Sequence, residues 1–238
     1  MTARITPAAP PYSAEVQAAF DRIMPPGVPP LALFTTLARD ARLYERFRNG
    51  GLLDKGHLTL RQREIVIDRT TALSGSEYEW GVHIAFFAQR VGLDEAQQRS
   101  IVRGSGDDSC WSPEDRLLIR ACDMLHASCD LDDALWSELR IAFSEEALIE
   151  ILMLAGFYRT VSYLTNALRL PLESYSVRFP ACVHWCEERL NVRFGSMIGI
   201  GGSLAAPPLP HHRTYGSVYG GSRSYANALR SRTGDRAI

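Results

Sequence analysis

Leu58-Thr59-Leu60-Arg61-Gln62-Arg63-Glu64-Ile65-Val66-Ile67, followed shortly by Ser76-Glu77-Tyr78-Glu79-Trp80-Gly81-Val82-His83, is the stretch that decides how this chain folds. Both segments space their apolar residues helically, and both open on a helix-start signal. Thr59 with Gln62, and Ser76 with Glu79, have capping-box spacing, in which a hydroxyl and the side chain three residues on satisfy orphan amide donors. Ser74-Gly75-Ser76 reads as a tight turn, so the spacing predicts two antiparallel helices over 60–73 and 77–91. Glu64 shares a helix face with Leu60, Ile67 and Thr71, an acid on a mostly apolar stripe whose burial requires a partner. The second helix offers candidates, because Glu79 and His83 lie four apart on one face beside the stripe of Trp80, Ile84, Phe87 and Val91. Two acids and an imidazole in a dry pocket shift one another's pKa values and can move protons near pH 7.

Working outward, further helices are expected over 13–23, 31–49 with a break, 94–103, 113–128, 132–142 and 145–169. Ser112 precedes Pro113, a good first helical residue, and Ser144 precedes two glutamates that suit the positive end of a helix dipole. No run alternates apolar and polar residues in the manner of a strand, so the fold class is all-α, a helical bundle. The last helix is apolar on nearly every face and is expected at the centre of the bundle or at a subunit interface. Pro171 ends it. Residues 1–175 therefore read as one helical domain, and 176–238 as a Gly/Pro/Arg-rich tail, mostly flexible, with a short helix allowed at 181–190. Gly199-Ile200-Gly201-Gly202 lacks the preceding strand and following helix of a phosphate cradle.

Composition narrows the function classes. The 238 residues are 46% hydrophobic and 22% charged with a formal net charge of −1, which fits a globular protein and excludes a disordered one. No stretch of 18 apolar residues is free of charge and no apolar leader follows the start, so neither a membrane span nor a signal peptide is expected, and the expected location is cytoplasmic. The 5 cysteines are an odd, irregular set, read as reduced thiols. Residues 1–170 hold 18 basic and 23 acidic residues, net −5, and offer no basic face for nucleic acid. Cys182-Val183-His184-Trp185-Cys186, with His211 and His212 later, is not a familiar zinc spacing. No metal and no cofactor is expected.

The two opening segments, with Val91-Gly92-Leu93 after them, resemble the carboxymuconolactone decarboxylase and alkylhydroperoxidase D-like superfamily over roughly residues 30–170. The resemblance implies an all-helical fold, a homotrimer or hexamer, and a site between helices near a subunit interface. In the peroxidase branch the corresponding helix opens on Cys-x-x-Cys, followed by a His after three further residues, and a Glu twelve residues upstream of the first Cys joins a proton relay. Glu64 matches that Glu and His83 that His, whereas Ser76 and Glu79 stand at the two Cys positions. A serine hydroxyl neither ionises near pH 7 nor forms a disulfide, so the dithiol cycle loses its chemistry here.

Three readings follow. In the first, the chain is a cofactor-free lyase or isomerase that moves protons on a small carboxylated or lactone substrate. His83 is then the acid/base, Glu64 its partner and Glu79 a second carboxylate. Arg61 or Arg63 holds a substrate carboxylate, and Tyr78, Trp80 and Ser76 line the pocket. The alternatives are a thiol-dependent peroxidase and a non-catalytic oligomeric scaffold. Blander roles stand beside these: Glu79 as the capping partner of Ser76, Glu64 paired with Arg61 or Arg69, His83 as a satisfied core histidine, and Trp80 and Phe87 as packing.

Overall fold

The computed structural model describes residues 2–181, so the Cys182/Cys186 pair, His211, His212, the Gly199–Gly202 string and nearly all of the proposed tail and of the helix at 181–190 lie outside the described residues. Among the described residues there are nine helices and no strand: α1 (Ala14–Ile23), α2 (Ala32–Leu37), α3 (Ala41–Gly50), α4 (Leu60–Leu73), α5 (Glu77–Val91), α6 (Glu95–Arg103), α7 (Pro113–Ser128), α8 (Asp133–Ala142) and α9 (Glu145–Leu168). The bounds follow local chemistry. Thr59 accepts from the Gln62 amide while the Gln62 side chain returns to the Thr59 amide, a full capping box. Asp94 and Gln97 build a second one at α6 that the sequence reading passed over. Ser112 caps α7 with Pro113 in its first turn, and Ser144 caps α9.

The centre of the bundle is α4, not α9. It packs against α5, α6, α7 and α9 and is buried without interruption from Arg63 to Thr71. Ile65, Val66 and Ile67 are wholly enclosed, together with Leu118, Ile119 and Leu154 from its neighbours. Each such side chain contributes about 1.5–3 kcal/mol by leaving water. A helix this polar becomes central only because its charges are paired inside the fold. Arg69, for example, spans from Asp123 (2.6 Å) to the carbonyls of Ile101 (2.6 Å) and Gly104 (3.1 Å), closing the end of α6.

α9 instead has two faces. Leu148, Ile151, Leu154, Tyr158 and Val161 point into the bundle, while Ile149, Met153 and Tyr163 are 59%, 57% and 60% exposed. The helix is long and apolar enough to cross a bilayer by length and composition, which the sequence reading did not anticipate, and half of it is buried against the other helices.

The chain after α9 is ordered as far as the described residues reach. Residues 171–181 run along α5 as a strap: the Val177 amide donates to the Gly81 carbonyl (3.2 Å), the Phe179 amide donates to Glu77 (2.8 Å), and Phe179 packs on Trp80 with ring centroids 5.1 Å apart. Residues 176–181 are thus part of the helical body rather than of a loose tail. Gly81 permits this approach, since a Cβ there would collide with the Val177 carbonyl and the Ser176 hydroxyl. Gly81→Val is expected to unseat the strap at a cost of roughly 1–3 kcal/mol. A thermal melt would read this as a loss of several degrees, at about 2–4 °C per kcal/mol, and hydrogen exchange would show faster loss of the Val177 amide proton.

Candidate active site

The hairpin of α4 and α5 turns at Gly75, which sits in the left-handed region at φ +66°. The turn fixes how α5 starts. The Ser76 amide donates to the Thr71 carbonyl (2.9 Å), and the Ser76 hydroxyl bonds Thr165 of α9 (2.8 Å) while accepting from the Glu79 amide (3.4 Å). Because the Ser76 amide is already satisfied, the Glu79 carboxyl does not fold back as a capping partner. It reaches along α5 to His83, with Oε1 3.4 Å from Nε2.

Glu64 rises from α4 directly beneath that imidazole. It is 0% exposed, and its Oε2 lies 2.7 Å from His83 Nδ1. Its other oxygen, Oε1, accepts from Arg63 Nη2 (3.0 Å) and Nε (3.2 Å), while Arg63 Nη1 donates to the Leu53 carbonyl (3.0 Å). The imidazole is thus clasped by an acid on each nitrogen, and Tyr158 meets its ring edge-on at 5.2 Å while Phe87 lies at 5.5 Å. Burial alone would lower the His83 pKa. The Glu64 charge and hydrogen bond, reinforced by Glu79, outweigh burial and raise it to about 10, so His83 stands as an imidazolium at neutral pH.

Asp68 belongs to the same cluster and was missed by the sequence reading. It sits one turn beyond Glu64 on α4, is 1% exposed, and its Oδ1 has no hydrogen-bond partner among the described residues. Burial and then the nearby Glu64 charge raise its pKa well above the usual carboxylate value, which favours the neutral form. The signal that could have found it is the spacing of four from Glu64 on a helix that is buried all round.

Glu79 and His83 form part of the wall of a cavity of about 260 Å³, lined also by Leu31, Phe34 of α2, Phe47 of α3, Phe86 and Phe87 of α5, and Phe157 and Tyr158 of α9. Tyr78 and Trp80 do not wall it, contrary to expectation. Trp80 is fully buried against the strap, and the Tyr78 hydroxyl accepts from the Leu33 amide (3.2 Å) and donates to Glu173, which also takes the Ala32 amide (2.6 Å). Tyr78 therefore acts at one remove, pinning the start of α2 over the cavity. Arg61 is not at the site either: it bonds Asp115 (2.9 Å) and the Val91 carbonyl (2.8 Å), tying α4 to α7 and to the end of α5. Arg63 is present, but its guanidinium is spent on Glu64. Ser76 is buried beside Thr165 and is absent from the cavity wall. The arginines that do line the cavity are Arg48 and Arg90.

Among the described residues no cluster of His, Cys, Asp and Glu side chains is arranged to hold a metal ion. The described cysteines are Cys110, Cys122 and Cys129, all free. Burial pushes the Cys122 thiol up to about 12, which leaves it unreactive, and none of the three lines the cavity.

The helical bundle thus places a buried acid and imidazole pair beside an apolar cavity, an arrangement chemically able to exchange protons. Residues 41–119, which contain Glu64, Asp68, Glu79 and His83, match the carboxymuconolactone decarboxylase family. The fold resembles an uncharacterized peroxidase-related protein from Silicibacter sp. TM1040, with TM-score 0.64 and 16% identity over 74% of this chain and 97% of that one. It also resembles the debrominase Bmp8 (TM-score 0.60, 15% identity, 74% and 95% covered). A third likeness is to an uncharacterized peroxidase-related protein from Ralstonia eutropha JMP134, the core of an alkylhydroperoxidase AhpD (TM-score 0.55, 14% identity, 73% and 95% covered). At these identities the likeness establishes the fold. No curated protein sequence matches the chain. The family match thus falls on the segment that carries the candidate site, within a fold shared with these solved structures.

The titration of the cluster makes stability fall as pH rises. His83 has a folded pKa raised from 6.5 to about 10, so its stabilising contribution is complete below pH 6.5 and is lost through pH 10. Asp68, raised from 3.8, adds a slope of the same sign above its unfolded value. Urea titrations from pH 7 to 10 should give a falling unfolding free energy, with a shallower fall in His83→Gln. A rising profile would contradict the charge state assigned here.

Proposed function

We propose that this protein is a cofactor-free lyase or isomerase that transfers protons on a small carboxylated or lactone substrate. The observation that carries this reading is the imidazolium of His83, held at 2.7 Å by Glu64 and 3.4 Å by Glu79 at the wall of an apolar cavity. Glu79 takes a proton from the carbon beside a substrate carbonyl. The electron pair of that C–H bond becomes the C=C of an enolate, and His83 donates a hydrogen bond to the oxygen that gains the charge. Returning the proton at a second carbon completes an isomerisation. If instead the bond to a carboxylate breaks, carbon dioxide leaves with the same enolate behind it, and His83 supplies the proton that quenches it. Glu64 keeps the imidazole oriented and charged throughout.

No step in this scheme uses sulfur, which suits a site with Ser76 and Glu79 where the peroxidase branch has its two thiols. The same reading has the enzyme act in the cytoplasm on a small molecule, with neither nucleic acid nor membrane as partner. It acts as a homo-oligomer, a trimer or hexamer. The exposed apolar face of α9 supports assembly, since Ile149, Met153 and Tyr163 recur at helical spacing and Gly156 between them has open space around it.

Deuterium uptake from heavy water into β-keto acids and γ-lactone acids, followed by proton NMR, tests the chemistry. His83→Ala should lower the exchange rate by about 10²-fold or more, and iodoacetamide treatment of the native protein should leave it unchanged. Undiminished exchange in His83→Ala would end this reading, and hydroperoxide consumption abolished by iodoacetamide would replace it with the thiol one. Light scattering should find more than one copy per particle, and Met153→Glu should shift the protein toward the monomer.

A further inference from the structure

The cavity has chemically different ends. At the inner end Glu79 is 6% exposed, and its Oε2 is buried without a hydrogen-bond partner among the described residues. An acceptor sealed from water and left unpaired asks for a donor from whatever fills the cavity. At the other end stands Arg90, seven residues beyond His83 on α5. Seven residues are close to two full turns, so Arg90 lies on the same helix face about 10 Å further along the axis. Phe87 bridges them: its ring is 5.5 Å from the His83 ring and 5.4 Å from the Arg90 guanidinium. Arg90 is exposed, lines the cavity, and makes no ion pair among the described residues, and Arg48 of α3 lines it likewise. Between these ends the walls are aromatic and the volume is about 260 Å³. That is the room of roughly nine liquid waters at ~30 Å³ each, a single ring with substituents.

We infer that the cavity takes a planar one-ring acid bearing an enolic or phenolic hydroxyl, with the hydroxyl donated to Glu79 Oε2, the ring stacked along Phe87 and the carboxylate held by Arg90. The inference rests on the proton-transfer reading and narrows it. A carboxylate anchored at Arg90 lies at the far end from His83, so it serves as a handle and is not the group expelled. The reaction is then a tautomerisation. The enol O–H bond breaks and its proton goes to Glu79 Oε2. The oxygen lone pair forms the carbonyl, and the ring C=C pair takes the Nε2 proton of His83 to make the new C–H bond. Glu79 then returns its proton to His83 across their 3.4 Å contact, so the site regains its starting charge and no electron is gained or lost. Arg90 is a substrate-holding residue in this scheme, the part expected of Arg61 or Arg63.

The probe is 4-hydroxybenzoate, which presents the hydroxyl and carboxylate at opposite ends of one ring and is kept from ketonising by its aromaticity. Calorimetric titration should show it binding, with 4-methoxybenzoate and 4-hydroxybenzamide each weaker by roughly tenfold or more. Arg90→Gln should erase the preference for the acid over the amide while keeping that for hydroxyl over methoxy. Glu79→Gln should do the reverse. Equal binding of the three compounds, no binding of 4-hydroxybenzoate at millimolar concentration, or an acid preference that survives Arg90→Gln would each overturn the proposal. Binding is read without turnover. Its failure therefore leaves the proton-transfer reading to the deuterium experiment, and failure of the latter leaves the ligand preference to stand or fall here.

Discussion

A carboxylate with no exposure to water sits in the middle of this bundle, and the rest of the structure is arranged around making it tolerable. Moving an ion of this size out of water costs several kcal/mol even after relaxation, and the cost is recovered only where partners stand at hydrogen-bond distance. Glu64 has such partners on both oxygens, Arg63 on one and His83 on the other. The Arg63 contact is local, between adjacent residues. The His83 contact is nineteen residues away and exists only if α4 and α5 pack in one register. A slip of one helical turn would take His83 away from Glu64 Oε2 and leave that oxygen without its partner, so the pair selects the register as well as building the site.

The surrounding residues divide the remaining work. Asp68 adds a third acid, whose burial beside Glu64 raises its pKa and favours its neutral form. Ser76, engaged by Thr71 and Thr165, fixes the rotation of α5 and so decides that Glu79 points along the helix to His83 instead of back to its own cap. Tyr158 from α9 and Phe87 from α5 hold the ring at its edge and flank. The strap over Gly81 presses α5 from its outer side, and Tyr78 with Glu173 links that strap to α2 and the cavity wall. Stability and chemistry are therefore not separable at this site: the interactions that make the acid affordable in the core are those that charge and orient the imidazole.

What could be read from the sequence was what local chemistry writes. Caps at Thr59, Ser112 and Ser144 place helix starts within a residue, and the apolar neighbours of Glu64 announce a buried acid in need of His83. What could not be read depends on packing between distant segments. The choice of α4 over α9 as the centre was hidden because a helix rich in Arg, Glu and Asp reads as a surface element unless its pairings with Asp123, Leu53 and the α6 carbonyls are known. Arg61, Arg63 and Asp68 share one helix, yet only their neighbours decide that the first braces α7, the second pairs with Glu64 and the third is buried with an unpartnered oxygen. The cavity wall comes from α2, α3, α5 and α9. Aromatic residues spread over more than 120 positions carry no common signal in the chain, which is why Tyr78 and Trp80, adjacent to the motif, looked like wall and are framework.

The pair of Glu64 and His83 does not by itself choose a chemistry. It supplies a proton and takes one back, and what that proton serves depends on the residues at 76 and 79. Two thiols there would ask the relay to ionise sulfur so that electrons can pass. Ser76 is instead buried and bonded to Thr165, with no route to a disulfide, while Glu79 brings a second proton acceptor within 3.4 Å of the imidazole. An acid and a base joined through one charged ring, beside an aromatic cavity with arginines at its wall, form a circuit that can pass a proton in and out of the same substrate. With a serine and a glutamate at these two positions, the pairing of Glu64 and His83 serves proton exchange in the proposed reading, and the helices that hold it are the same ones that bury the acid.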